Sequence, residues 1–146
     1  MSIQENIRLD EEFIAATCAH DVERLMALLS DDVVVTNVGL PEPIRGNAVY
    51  GQHYQGIFES FPDYRVVVKN RVVGEDQVAT EVEFSGTHQG PLSLGPGNPI
   101  PATDKKFTAS GAYFARVHNG KIIEMHQHPD IAGFLMQLGL MSTPGV

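Results

Sequence analysis

Between Ile3 and Ala19 the apolar side chains Ile3, Ile7, Phe13, Ile14 and Cys18 recur with acidic residues on the other faces, the pattern of an amphipathic helix. His20-Asp21 interrupts it, and Asp21 can cap a second helix holding Val22, Leu25, Met26, Leu28 and Leu29. Asp31-Asp32 closes that helix with a turn. The β-branched run Val33 to Val38 then predicts a buried strand. Gly39 to Gly46 contains Pro41 and Pro43 and reads as a loop. A third helix is predicted from a cap at Asn47 to about Ser60, with Val49, Tyr50, His53, Tyr54, Ile57, Phe58 and Phe61 forming a wide aromatic face.

Two strands follow, roughly Arg65 to Val73 and Gln77 to Ser85, joined by the turn Gly74-Glu75-Asp76. Gly86 to Asp104 is too rich in proline and glycine for regular structure, and so long a loop in a compact domain is usually functional or mobile. Phe107 to His118 and Lys121 to His128 predict a hairpin through Asn119-Gly120. Pro129 cannot donate to a sheet ladder and should stop the strand. A last helix runs from Ile131 to Leu138 and ends at Gly139, with Met141 to Val146 as a flexible tail. This order predicts an α+β fold: helices packed on one face of a mostly antiparallel sheet, leaving a cavity at the open end.

The 146 residues show no repeat and no shift in composition, which predicts one domain over 1–146. A net charge of −8 leaves no basic surplus for nucleic acid or an anionic membrane surface. No apolar run approaches the ~20 residues of a membrane span, and the polar, acidic N-terminus does not resemble a secretory signal. A cytoplasmic protein acting on a small molecule is the expectation. The single cysteine, Cys18, matches no disulfide or zinc pattern.

Titratable chemistry is densest in Glu124-Met125-His126-Gln127-His128-Pro129-Asp130. With Asn119 and Gly120 as the two turn residues, a regular hairpin places Tyr113 opposite His126 and Gly111 opposite His128. One face then carries Gly111, Tyr113, Ala115, Val117, Ile122, Glu124, His126 and His128, which suits a pocket wall. A one-residue change of register would exchange the two faces. His126-x-His128 could chelate a metal with Asp130, Glu124 or His88 as third ligand, but the spacing does not require one. Asp130 is either a pocket carboxylate or the N-cap of the last helix. His88 stands where a strand enters the long loop, as a pocket-rim hydrogen bonder or a loop histidine. Tyr54, Phe58 and Phe61 are core residues that can also line a cavity.

Phe-Glu-Ser-Phe-Pro-Asp at 58–63, Gly-Thr-His-Gln-Gly at 86–90, Ile-Pro-Ala-Thr at 100–103, Gly-Lys-Ile-Ile-Glu at 120–124 and the ending Asp130 to Gly139 together resemble the SnoaL-like polyketide cyclases, within the nuclear transport factor 2-like superfamily. The resemblance implies a cone-shaped, half-open α+β barrel whose curved sheet wraps around N-terminal helices, usually as a homodimer. It implies ring closure or isomerisation by acid/base chemistry, without metal or organic cofactor, on an activated carbon beside a carbonyl. Asp130 looks like the family's acid/base and His88 like its pocket histidine, with His126 as a further hydrogen-bonding or relay group. Tyr54, Phe58, Phe61, Tyr113, Glu124 and His128 would then bind substrate. This chain departs from the family where His126 replaces a common Trp, and where Glu81 and Val82 replace Arg and Trp.

Overall fold

The computed structural model of the chain describes residues 2–94 and 97–142. Helix α1, Ile3–Ala19, starts with a reciprocal cap. Ser2 Oγ accepts the Glu5 N–H at 3.1 Å, and the Glu5 carboxylate accepts the Ser2 N–H at 3.3 Å, so two otherwise orphaned donors are satisfied. The helix stops at His20, whose φ of 57° is left-handed. Its ring stacks flat on Phe58 at 4.1 Å and bonds the Tyr64 carbonyl at 2.8 Å, which holds this conformation in place. Asp21 then caps α2, Val22–Leu28, by accepting the Arg24 N–H.

Strand β1 spans Leu29–Asn37 and begins four residues before the expected Val33, because the chain leaves α2 directly in extended conformation at Leu29. The short β2 is Ile44–Arg45 and α3 is Asn47–Ser60. Asn47 is the first residue of α3, not its cap; Gly46 precedes it at φ 90°, and the Asn47 amide donates to Met26 O, tying α3 to α2. Strands β3 (Arg65–Val73), β4 (Gln77–Thr87), β5 (Lys106–His118) and β6 (Lys121–Pro129) and helix α4 (Ile131–Gln137) complete the order. Pro129 is the last residue of β6, opposite Gly111, and the next backbone donor, the Asp130 N–H, bonds Ser110 O on β5 at 2.9 Å. Most of the expected flexible tail, 143–146, lies outside the described residues.

The six strands form one curved, unclosed sheet in the order β2-β1-β6-β5-β4-β3, and helices α1, α3 and α4 pack on its concave side. The fold is the expected α+β. All neighbours are antiparallel except β1 and β6, which run parallel. That pairing sets Asn37 beside Gln127. The core divides into a larger group around Phe13, Leu25, Tyr50, Met125 and Ile122, and a smaller aromatic one around Phe61, Phe107 and Phe134. Each such side chain fully withdrawn from water contributes about 1.5–3 kcal/mol.

The β5–β6 hairpin corrects the predicted register. Val117 pairs with Ile122, but Arg116 pairs with Glu124, so Ile123 is an extra residue on β6. Beyond this bulge the alternation is displaced by one. Tyr113 therefore faces Gln127 and not His126, and Gly111 faces Pro129 and not His128. Because the side-chain period is two, one inserted residue moves Glu124, His126 and His128 together to the convex surface. Met125, Gln127 and Pro129 take the concave side.

Candidate active site

The concave face encloses a cavity of about 140 Å³ between the helices and the sheet. Its walls come from Phe13, Ile14 and Thr17 of α1, His53, Tyr54 and Ile57 of α3, Val82 and Phe84 of β4, Tyr113 of β5, and Pro129, Ile131 and Phe134 around the β6–α4 junction. Leu92, Ser93 and Leu94 from the long loop close another side. The helical spacing of Tyr50, His53, Tyr54 and Ile57 explains why one side of α3 delivers both packing and polar groups.

Asn37, Gln127, His53 and Tyr54 place polar groups on the wall formed by β1, β6 and α3. Asn37 and Gln127, partners across the parallel strands, are joined by a 3.0 Å bond from Asn37 Nδ2 to Gln127 Oε1. Asn37 Oδ1 is fixed in turn by the Gly39 N–H at 2.8 Å. Tyr54 stacks on Tyr50 at 4.7 Å. The Tyr50 hydroxyl is buried without a hydrogen bond among the described residues, and Tyr54 and Gln127 are the polar side chains it faces. Burial pushes the phenols of Tyr50, Tyr54 and Tyr64 above their ordinary range, so each remains a neutral hydroxyl at physiological pH. Tyr113 is likewise raised, by burial first and by the adjacent Asp10 second. Its hydroxyl donates to Asp10 at 2.5 Å, in a buried network with Thr80 and Arg71.

Of the residues singled out from sequence, Tyr54, Phe61 and Tyr113 line this cavity. Phe58 lies behind it, between His20, Tyr54 and Tyr64. Glu124, His126 and His128 sit on the convex side, where His126 Nε2 meets Glu124 Oε1 at 2.7 Å and His128 packs edge-on to Phe114. Among the described residues no group of three His, Cys, Asp or Glu side chains is placed to hold a metal ion. Asp130 is flanked by two cavity residues, Pro129 and Ile131, but its carboxylate accepts the Gly133 N–H at 2.9 Å as the cap of α4.

His88 is buried against Phe61 and away from the cavity lining. Its Nδ1 accepts the Thr103 N–H at 3.2 Å and lies 3.0 Å from the Thr103 hydroxyl. Burial lowers its pKa despite opposing contributions from the Gly90 backbone and Asp104. Nearby, both Asp63 oxygens accept from Thr87, its N–H and its hydroxyl, at 2.7 Å. Phe-Pro-Asp, Gly-Thr-His and Pro-Ala-Thr thus meet in one knot that fixes both ends of the long loop. Inside that loop, Leu92 and Ile100 exchange two backbone bonds.

Asn37, Gln127 and His53 are among the cavity groups that the sequence does not single out as site residues. The first two meet only through the parallel β1–β6 pairing, which no local pattern announces. His53 carried a usable signal, its place on the aromatic side of α3. In the structure burial lowers its pKa, and its ring approaches Tyr54 edge-on at 5.4 Å.

Solved structures share this architecture. AclR of Streptomyces galilaeus, named as a candidate hydroxylase, is 23% identical with a TM-score of 0.82, over 97% of this chain and 100% of that one. IdmH of Streptomyces antibioticus, named as a candidate polyketide cyclase, is 25% identical with a TM-score of 0.75, over 90% of this chain and 96% of that one. An epoxide hydrolase from M. tuberculosis is 20% identical with a TM-score of 0.71, over 93% of this chain and 90% of that one. The three names differ, so the shared fold does not choose among activities. No curated protein sequence matches the chain at a significant level. No helix among the described residues is long and apolar enough to cross a membrane. The model of the SnoaL-like domain matches residues 11–125, and the chain belongs to that family.

Proposed function

We propose that the cavity binds a small to medium apolar carbonyl compound and that the protein performs acid/base chemistry on it, an aldol-type cyclisation or an isomerisation, without metal or organic cofactor. The observation that carries this reading is the contrast inside the cavity: apolar and aromatic on most sides, with the Asn37–Gln127 pair and Tyr54 collected on one. Neutral hydroxyl and amide donors in a water-poor pocket suit a carbonyl oxygen, and they strengthen as negative charge develops on it. A paired comparison tests this: binding of 2-tetralone against tetralin, the same two rings without the carbonyl. The ketone is expected to bind about tenfold more tightly, the value of roughly one hydrogen bond. Gln127→Leu should erase much of the difference. Equal binding of the two compounds by the unmodified protein would remove the basis for a carbonyl ligand.

A binding module without turnover is the second reading, favoured by the engagement of Asp130 as a helix cap. It expects 2-tetralone to bind with exchange of the protons beside its carbonyl no faster than in buffer alone. In either case we propose a cytoplasmic homodimer joined through the convex face of the sheet, where Val72 and Phe114 stand exposed in one row across β3, β4 and β5 with Ala79 between them.

A further inference from the structure

We infer that His53 is the group that takes the proton from the carbon beside the bound carbonyl. This rests on the carbonyl reading above and assigns its base to a residue on α3, not to Asp130. Among the described residues, no aspartate, glutamate, lysine or arginine lines the cavity. Its titratable groups are His53, Tyr54, Tyr64 and Tyr113. Each tyrosine is held as a neutral phenol by burial, and the Tyr113 hydroxyl is committed to Asp10. That leaves the imidazole as the cavity group able to accept a proton near neutral pH.

The geometry of His53 suits the task. It makes no hydrogen bond to a described side chain or backbone group, and its ring meets Tyr54 by an edge, at 77° between planes. Structural histidines in this chain look different: His20 bonds the Tyr64 carbonyl, and His88 bonds Thr103 through Nδ1. Burial keeps His53 unprotonated at pH 7, and no neighbouring charge opposes that effect. Asp130, by contrast, is solvent-exposed and spends its carboxylate on the Gly133 N–H.

The step balances without a further reactant. An imidazole nitrogen takes the proton as the carbon–hydrogen bond breaks. Its electron pair becomes the carbon–carbon double bond, and the carbonyl π pair moves to oxygen, toward the donors Tyr54 and Gln127. In isomerisation the imidazolium returns the proton to carbon. In cyclisation the enolate carbon attacks a second carbonyl, and the new alkoxide takes the proton from His53.

Exchange of the protons of 2-tetralone beside its carbonyl for deuterium, followed by NMR in D2O, tests the assignment. The unmodified protein should exchange them above the buffer rate. That rate should rise as pH increases toward the ordinary histidine value of about 6.5 and be level at neutrality. His53→Gln should lower it at least 100-fold while still binding 2-tetralone, and added imidazole should restore part of the rate in His53→Ala. Binding and exchange that stay within threefold in His53→Gln overturn His53 and leave the carbonyl reading standing. So does a loss confined to Asp130→Asn, or a rate profile with no histidine-like inflection. If the unmodified protein neither binds nor exchanges 2-tetralone, the carbonyl reading fails first and the assignment with it.

Discussion

Gln127 and His128 are consecutive, yet they live on opposite sides of the sheet. The concave face of β6 carries Ile122, Met125, Gln127 and Pro129; the convex face carries Glu124, His126 and His128. All the titratable groups of this strand are outside, and its one polar cavity group is a neutral amide. The difference teaches that a dense run of acids and histidines marks chemistry only if the strand turns it inward. Here the same side chains instead solvate the outer surface, with His126 and Glu124 paired at roughly half exposure. Such exposed pairs contribute little, typically 0–1 kcal/mol.

The largest effect that would break this contrast comes from its two adjacent residues, Met125 and His126. Met125 is 0% exposed in the main core, so Met125→Ala should cost about 2–5 kcal/mol through lost burial and a cavity. His126→Ala should change stability by no more than about 0.5 kcal/mol. Urea denaturation of both variants measures the pair, and equal losses would show that the faces are misassigned. Deleting Ile123 is next. In a regular strand one deletion inverts every later side chain, but here the missing residue is the bulge itself. Ile122 would then precede Glu124 directly, with their partners Val117 and Arg116 unchanged. The deletion variant should fold, lose about 1–3 kcal/mol in packing and twist, and still bind 2-tetralone. A chain that unfolds or loses the cavity would mean that the pairing near Ile123 is regular.

The bulge also explains what the sequence could and could not reveal. Period-two alternation placed Gly111, Tyr113, Ala115 and Val117 of β5 on one side, and that is where they lie. The Asn119-Gly120 turn located the hairpin itself. Neither signal counts residues beyond the first pairs, so an extra Ile in Ile122-Ile123 left no trace in the pattern. Helix α3 was legible because burial follows its own 3.6-residue repeat. Asn37 beside Gln127 was not, since they are 90 residues apart and meet only when β6 pairs in parallel with β1. The motif histidine His88 was visible as a motif, but only packing shows that it holds Thr103 and not the cavity.

A smaller effect separates the inner histidines from the outer ones by pH. Burial lowers the folded-state pKa of His53 and His88 below the unfolded value of about 6.5. Between those values the unfolded chain binds more protons than the folded one, so stability rises with pH there. The contribution is therefore complete above about pH 6.5 and is lost as pH falls toward the folded values. Melting temperature should decline on acidification through this window. The slope should be shallower in His53→Gln and in His88→Gln than in the parent. His126→Gln serves as the outer-face comparison, and a slope that flattens there, with both inner variants unchanged, would place the acid-sensitive histidines outside.

The smallest effect on stability belongs to Phe114, and it probes what the convex face is for. Phe114 is 52% exposed beside His126 and Ala79, so Phe114→Glu removes no core contact and should shift stability within about 0.5 kcal/mol. If two chains pack through this face about a two-fold axis, Phe114 meets its own row on the partner, and the substitution introduces a buried like-charged pair. Sedimentation should then change from a dimer to the 15.9 kDa monomer at micromolar concentration, while 2-tetralone binding stays near the parent value. A parent protein that is already monomeric, or a variant that remains dimeric, rules out this face as the joint. Loss of binding together with the dimer would carry a different message: the curvature of the sheet, and with it the cavity wall at Gln127, would depend on the partner pressing on its back.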